Sequence, residues 1–234
     1  MLSPSGVWPA LQVTAPGNQS HLARYPWAVS MGGIEGAGSR GRDRTICAKQ
    51  EWTAVSQEVM KELTSAINRH LAAEFQASHT YLAMSIWLRE KDLAGFSTYM
   101  LAKSNEERDH AARMIAYLVD SDEQVELPTV EAPERSWPSV QKLFDQIYDM
   151  EKGVTASINR LYSTAESAGE RSATAMLDWF VAEQLQEEAE ARFVCKRLRL
   201  AGDNSAALLL LDQQFLEGTA LAHVKGGLSA ASGV

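Results

Sequence analysis

The chain has few cysteines, few basic residues and no long apolar run. Its 234 residues include two cysteines, Cys47 and Cys195, too few for the disulfide framework that holds small secreted domains together. No segment has the roughly 18 consecutive apolar residues of a membrane-spanning helix. We therefore expect a soluble protein of a reducing compartment, with no membrane partner.

The shortage of basic residues lies in the middle of the chain. Residues 1–55 carry +2 and residues 219–234 carry +1, so that residues 56–218 carry −11 and the whole chain −8. Proteins that bind nucleic acids normally present a basic face to the phosphates. The charge of the central segment argues against a nucleic-acid partner and favours the attraction of cations.

Proline is missing from long parts of the sequence. Four of the seven prolines lie before residue 27, and the other three lie in residues 128–138. Because proline interrupts helices, the segments between and after these prolines can form long helices, and apolar residues recur there every three or four positions. This pattern predicts an all-α protein with helices at about 57–91, 96–121, 139–167 and 171–201, and a short fifth helix at about 204–217.

The lengths of the connections predict how these helices are arranged. Short links around Gly95 and Gly169 make antiparallel hairpins of helices one and two and of helices three and four. Residues 122–138 could span roughly 55 Å when extended, whereas a helix of about 25 residues spans about 37 Å. We therefore predict a four-helix bundle with a long crossover between helices two and three, plus the short fifth helix.

Two segments flank the predicted bundle domain, which covers residues 56–218. Residues 1–55 contain scattered Gly, Ser and Pro and few acidic residues, which predicts a disordered leader. A transit peptide or a misassigned start would look much the same. Residues 219–234 are small and polar and predict a flexible tail.

The apolar face of each long helix is interrupted by polar residues, most of them metal ligands. An ionised carboxylate buried there costs several kcal/mol or more unless a cation meets it. Carboxylates with a single imidazole suit iron or manganese, whereas structural zinc brings thiolates or more histidines. The inward polar residues are His70, Glu74 and Tyr81 on the first helix, Lys103, Glu107 and His110 on the second, Glu151 on the third, and Gln184 and Glu187 on the fourth. This pattern predicts a site for a multivalent metal.

The ligands on the second helix, Glu107 and His110, form a Glu-x-x-His motif, and both can bind the same ion. Symmetric di-metal bundles repeat this motif on two helices, but no histidine lies between His110 and His223. One ion is therefore expected to have a histidine ligand, and a second ion to be bound mainly by carboxylates.

Residues 57–218 contain these ligands in a familiar set of motifs. The set consists of Glu74 with Tyr81, the run Glu106-Glu107-Arg108-Asp109-His110, Glu151, Gln184 and Glu187. On these motifs the segment resembles a non-haem ferritin, most like the cyanobacterial and bacterial-type members. The resemblance implies the ferritin-like form of the bundle. It also implies that haem is absent, because Arg108 stands where bacterioferritins have their haem methionine.

The resemblance implies a ferroxidase, in which a di-iron centre within each subunit oxidises Fe(II) to Fe(III) with O2 or peroxide. The first iron would bind Glu74, Glu107 and His110. The second would bind Glu107, Glu151 and Glu187, so that Glu107 bridges the two ions.

The same resemblance assigns roles to further residues. Gln184 would hydrogen-bond an oxygen species or a water molecule. Tyr81 would donate an electron during oxygen reduction, with a core tyrosine as the alternative interpretation. A third iron site would draw on Glu106, Glu183 and Glu187.

The function implied by the resemblance is iron storage, with ferric mineral held in a shell of 24 like subunits. The compartment would be the bacterial cytoplasm, or a plastid if residues 1–55 are a transit peptide. Asp178 is a candidate for iron transfer, with a solvated helix aspartate as the alternative. Two other functions are open: a soluble di-iron oxidoreductase or peroxidase of the same bundle class, and a catalytically silent shell subunit.

Overall fold

The computed structural model describes residues 40–222 and 224, with side chains from residue 58 onward. The helices are α1 (Arg40–Arg89), α2 (Ala94–Asp120), α3 (Val140–Ala168), α4 (Arg171–Ala201) and α5 (Ser205–Leu216). No strand occurs in these described residues, which confirms the all-α prediction. None of the described helices is long and apolar enough to cross a lipid bilayer.

The chain divides into two compact units, Met1–Thr45 and Ile46–Val234. The described part of the first unit is the start of α1, and the other helices lie in the second unit. The predictions of a disordered leader and a flexible tail fall mostly on residues 1–39 and 225–234, which lie outside the described residues.

The first helix is longer than its apolar periodicity predicted. It begins at Arg40, whereas the predicted start was near residue 57. Residues 42–94 contain neither proline nor glycine, so no helix-breaking residue ends the helix where its apolar pattern fades. The periodicity detected only the part of the helix that has a regular apolar face in the sequence.

The structure contains the predicted long crossover between α2 and α3, and the crossover runs along α1. Asn68 is buried on α1; its Nδ2 donates to the Gln124 carbonyl (2.9 Å) and its Oδ1 accepts from the Glu126 amide (2.8 Å). Further along, Gln76 donates to the Glu131 carbonyl (3.1 Å) and accepts from the Glu131 amide (2.9 Å). Because the crossover follows the direction of α1, it returns the chain to the end of the bundle where α2 began. α3 therefore runs parallel to α2.

α1 and α2 pack closely through two pairs of serines. Ser78 and Ser104 each donate from Oγ to the carbonyl oxygen of the other, at 2.7 and 2.8 Å. Ser85 and Ser97 do the same at 2.8 and 2.9 Å. The two pairs lie seven residues apart on each helix, which is the repeat of closely packed helices. These bonds set the register of α1 against α2, and hence the relative height of the ligands on the two helices.

The interior of the bundle consists of two apolar clusters with a polar layer between them. On every long helix, the predicted ligands fall between the residues that belong to one cluster and those that belong to the other. The central members of the clusters are Met84, Phe96 and Phe144 in one, and Ile67, Met114 and Phe180 in the other. The apolar clusters therefore shield the polar layer from water along the bundle axis.

α5 confirms the predicted short fifth helix, and it packs against the start of α2. Asp212 Oδ1 accepts a hydrogen bond from the Phe96 amide at 2.8 Å, in the first turn of α2. This carboxylate satisfies a helix end whose own cap residue, Leu93, makes no side-chain hydrogen bond. Gly95 allows the close approach, since a Cβ there would lie 1.8 Å from the Asp212 carbonyl oxygen.

Candidate metal centre

Three of the predicted ligands meet in the middle of the bundle. Glu74 from α1 and Glu107 and His110 from α2 each offer one ligand atom, and these atoms lie within 4.8 Å of one another. His110 Nδ1 is 3.2 Å from Glu107 Oε2 and 3.7 Å from Glu74 Oε2. All three residues are buried. The Glu-x-x-His spacing places the two α2 ligands on one face, and α1 adds the third.

The charges in this cluster depend on burial and on each other. Burial raises the pKa of Glu107, and the negative charge of the Glu74 carboxylate raises it further. The hydrogen bond from His110 acts in the opposite direction but is weaker than these two effects together. Burial acts on Glu74 too, but hydrogen bonds from His110 and His70 hold its pKa well below the usual range. Burial lowers the pKa of His110, but the two carboxylates outweigh this effect and raise the pKa to about 10. A proton on His110 therefore supplies the positive charge that a bound metal ion would supply in its place.

His70 contacts the cluster, although sequence reasoning placed it on the inward face of α1 without including it in the site. Its Nε2 is 2.8 Å from Glu74 Oε1, and its Nδ1 is 2.9 Å from Ser157 Oγ on α3. The imidazole is 1% exposed, its Nδ1 is paired with Ser157, and its Nε2 lies beside the Glu74 carboxylate, so it limits the movement of that carboxylate. The sequence feature that could have indicated this role is a histidine one helical turn before an inward glutamate.

Glu151 on α3 lies between residues from two other helices. Tyr81 of α1 donates a short hydrogen bond to Glu151 Oε1, and Gln184 of α4 donates to Glu151 Oε2 and to its carbonyl oxygen, both at 3.2 Å. Burial raises the pKa of Glu151 against these two donors. Burial and the charge of Glu151 raise the pKa of Tyr81, so the phenol keeps its proton. The three side chains therefore form one hydrogen-bonded unit.

Glu187 on α4 contacts a lysine that sequence reasoning did not include in the site. Both carboxylate oxygens of Glu187 accept from Lys103 Nζ, at 2.5 and 2.6 Å. The same ammonium lies 2.7 Å from Glu106 Oε2. Burial raises the pKa of Glu187 to about 7, although the nearby ammonium opposes this. Glu183, one turn before Glu187, is half-buried.

The predicted iron ligands thus fall into two groups. Glu74, Glu107 and His110 form a cluster compact enough for one ion, the only such cluster within the part of the chain that the structure describes. The other predicted ligands lie outside it and are Glu106, Glu151, Glu183 and Glu187.

Comparison with known proteins identifies the family. The ferritin-like domain family matches residues 64–201, which is more than half of the chain. The chain belongs to the ferritin family. It is 36% identical over 171 residues to a bacterial non-heme ferritin of Campylobacter jejuni, a match that covers 73% of this chain and 99% of that protein. A bacterial non-heme ferritin of Bacteroides fragilis is 27% identical over 156 residues, 67% of this chain and 97% of that protein.

Solved ferritin structures have the same fold as this ferritin. An open pore ferritin from the hyperthermophilic archaeon Archaeoglobus fulgidus matches with a TM-score of 0.65 at 34% identity, over 66% of this chain and 94% of that one. A humanized archaeal ferritin matches with a TM-score of 0.65 at 32% identity, over 66% and 93% of the two chains. These matches confirm the predicted ferritin-like four-helix bundle.

Aromatic side chains of α4 close the ligand cluster of this ferritin on the His110 side. The rings of Trp179 and Phe180 lie 5.4 and 5.9 Å from the His110 ring, both at 76° to it. The Arg113 guanidinium lies 4.0 Å from the centre of the Trp179 ring. Edge-to-face packing of this kind fixes the orientation of the imidazole and limits the access of water to it.

Asp178, the candidate for iron transfer, is exposed on α4. Its Oδ1 accepts a hydrogen bond from Tyr162 OH on α3 at 2.9 Å. In the structure this carboxylate links α3 to α4, and its part in iron transfer stays a prediction.

Proposed function

We propose that this ferritin oxidises Fe(II) to Fe(III) with O2 or peroxide and stores the product as ferric mineral in a shell of 24 subunits. The observation that carries the proposal is the cluster of Glu74, Glu107 and His110, buried between two apolar clusters. Carboxylates with one imidazole suit iron. The relatives are named bacterial non-heme ferritins, which favours storage over the other reactions of di-iron bundles.

The first iron would bind to Glu74, Glu107 and His110. His70 would hold the Glu74 carboxylate in position through their 2.8 Å contact. The aromatic rings of α4 would hold the imidazole of His110. Binding would release the proton of His110, because a histidine ligand must be neutral at the nitrogen that binds the metal.

The second iron would lie between Glu107 and Glu151, with Glu107 as the bridge and Glu187 as a further ligand. In the structure both oxygens of Glu187 face Lys103, so the carboxylate would have to turn toward Glu151 to bind. Gln184 already donates to Glu151 at 3.2 Å. Its amide would be close enough to hydrogen-bond an oxygen species or a water molecule at the iron.

Tyr81 would supply an electron during oxygen reduction. A phenol that loses an electron also loses its proton, and the hydrogen bond to Glu151 provides an acceptor for it. The raised pKa of Glu151 favours this transfer, because a carboxylate that protonates more readily is the better base. Tyr81 is 1% exposed, so the oxidised ring would be shielded from solvent.

Exposed apolar side chains support assembly into a shell. Leu200 at the end of α4 is 84% exposed, and Leu209 and Leu210 on α5 are 58 and 63% exposed. An exposed apolar patch of this kind marks a surface that a partner covers. We expect like subunits to cover it, in the bacterial cytoplasm or, if residues 1–55 are a transit peptide, in a plastid.

Stopped-flow absorbance in the near ultraviolet tests the proposal, with two ferrous ions per subunit added aerobically to the apo protein. The wild type should show a fast ferric rise, and Glu107→Ala should lose it because the shared ligand is gone. Glu166→Ala, at an exposed position on α3, is the control and should react as the wild type does. Equal slow rises in all three proteins would contradict the proposal and favour a silent shell subunit. Fast oxidation without mineral formation would favour a di-iron oxidoreductase or peroxidase.

The stability of apo Glu107→Ala separates loss of a ligand from loss of the fold. The variant should be at least as stable as the wild type, because burial and the Glu74 charge both disfavour the ionised Glu107 carboxylate. Differential scanning calorimetry of the two apo proteins measures this. A lower Tm for the variant would show that Glu107 is a structural residue and would weaken the kinetic argument.

A further inference from the structure

Lys103 is buried among carboxylates beside the proposed iron centre. The residue is 6% exposed, and its Nζ lies 2.5 and 2.6 Å from the two oxygens of Glu187. Nζ is also 2.7 Å from Glu106 Oε2 and 3.5 Å from Glu190 Oε2. One of these carboxylates comes from α2 and two come from α4. The ammonium therefore occupies the centre of an acidic cluster that two helices build around it.

Neighbouring side chains hold the carboxylates in this arrangement. Tyr99 OH donates to Glu190 Oε2 at 3.4 Å, and Gln186 Nε2 donates to Glu190 Oε1 at 3.0 Å. Lys103 Nζ also lies 5.8 Å from the centre of the Tyr99 ring, within the range of a cation–π contact. Since both oxygens of Glu190 are engaged, this carboxylate is oriented toward the ammonium by the protein itself.

A cation is required at this position. Glu187 and Glu190 are 3 and 0% exposed, and a buried carboxylate without a positive partner is strongly destabilising. The resemblance to other ferritins implied that a third iron fills this role, with Glu106, Glu183 and Glu187 as ligands. In this chain the positive charge belongs to a side chain of the protein.

We propose that the Lys103 ammonium takes the place of a third metal ion, so that each subunit binds two iron ions and not three. The proposal rests on the proposed function, since it counts ions relative to the di-iron centre. A divalent ion and an ammonium repel each other at the short distances inside the cluster, so the two cannot share it. A third ion would have to expel Lys103 from three carboxylates.

Crystals soaked in Zn2+ test the proposal, because the anomalous scattering of zinc locates each ion without any oxidation chemistry. Lys103→Met keeps an unbranched side chain that is one atom shorter and removes the charge. Lys142→Met removes a lysine charge where the side chain is 66% exposed, and is the matched control. Wild type and Lys142→Met should show no zinc bound jointly by Glu187 and Glu190. Lys103→Met should gain one zinc ion per subunit there.

Two results would overturn the proposal. One is zinc bound in the wild type by Glu187 together with Glu106, Glu183 or Glu190, with the Lys103 side chain displaced. The other is a Lys103→Met map without an ion at that position. The wild-type map decides the question even if the variant does not fold. Failure of the proposed function is a separate result, which would show as the absence of zinc at Glu74 and His110 in the wild type.

Discussion

Two glycines inside long helices should respond in opposite ways to the same substitution. Gly95 in α2 is buried against α5, and a Cβ there would lie 1.8 Å from the Asp212 carbonyl oxygen and 2.8 Å from the Leu216 amide nitrogen. Gly153 in α3 is exposed, and a Cβ there would meet nothing within 4 Å. Because both positions are helical, the difference between them is the space available.

The expected magnitudes follow from these distances. Cβ atoms essentially never lie closer than 3.0 Å to another heavy atom, so Gly95→Ala pushes α5 away from α2 by about 1 Å or more. Overpacking costs about 1–3 kcal/mol, and weakening the bond from the Phe96 amide to Asp212 adds about 0.5–2 kcal/mol. Both variants gain about 0.5–1 kcal/mol of helix propensity. Gly95→Ala should therefore lose about 0.5–4.5 kcal/mol overall, whereas Gly153→Ala should keep its gain.

Thermal unfolding of the apo proteins, followed by far-ultraviolet circular dichroism, measures both shifts. The subunit concentration is held constant because assembly stabilises the folded state. At about 2–4 °C per kcal/mol, the Tm should fall by about 1–18 °C in Gly95→Ala and rise by about 1–4 °C in Gly153→Ala. Amide hydrogen exchange in α5 should increase in Gly95→Ala alone. Equal Tm values for the two variants, or unchanged exchange in α5, would refute the close packing of α5 on α2.

Two further predictions concern the metal centre. Tyr81→Phe removes the hydroxyl donor of Glu151, so apo stability should fall by about 1–3 kcal/mol, and the tyrosyl signal in electron paramagnetic resonance during aerobic iron addition should disappear. A tyrosyl signal that persists in the variant would assign the radical to another residue. His70→Leu removes the 2.8 Å contact to Glu74 and should weaken Zn2+ binding at that cluster by about 10–100-fold in calorimetric titration. His70→Gln retains a donor and should lose less, whereas wild-type affinity in His70→Leu would rule out a positioning role.

Helix periodicity predicted which residues point inward but not what they contact. It placed Lys103 on the same inward face of α2 as Glu107 and His110, and the structure confirms that all three are buried. The ion pair between Lys103 and Glu187 depends on how α2 is rotated relative to α4. The sequence pattern of one helix carries no information about that rotation. The sequence alone therefore did not predict which residue pairs with the lysine.

The predicted helix boundaries were close to the observed ones except at the start of α1. Boundaries marked by glycine or proline are local signals, such as Gly169, which has a φ of 69° at the end of α3. The start of α1 is the exception: Gly36, Gly38 and Gly41 surround Arg40, but the prediction followed the apolar periodicity, which begins only near residue 57. Apolar periodicity marks the part of a helix that has a regular apolar face, and a helix can extend beyond that part.

The long helices, the reach of the crossover and the inward position of the ligands all follow from local sequence patterns. Each of these depends on residues within a few turns of one another, because the direction of a side chain around a helix follows from its spacing. Which inward side chains meet depends on the packing of the helices against one another. The deciding pairs lie 84, 87 and 116 residues apart and are Lys103 with Glu187, His70 with Ser157, and Phe96 with Asp212. Such pairs depend on the register and rotation of whole helices, which all packing contacts of the bundle set together.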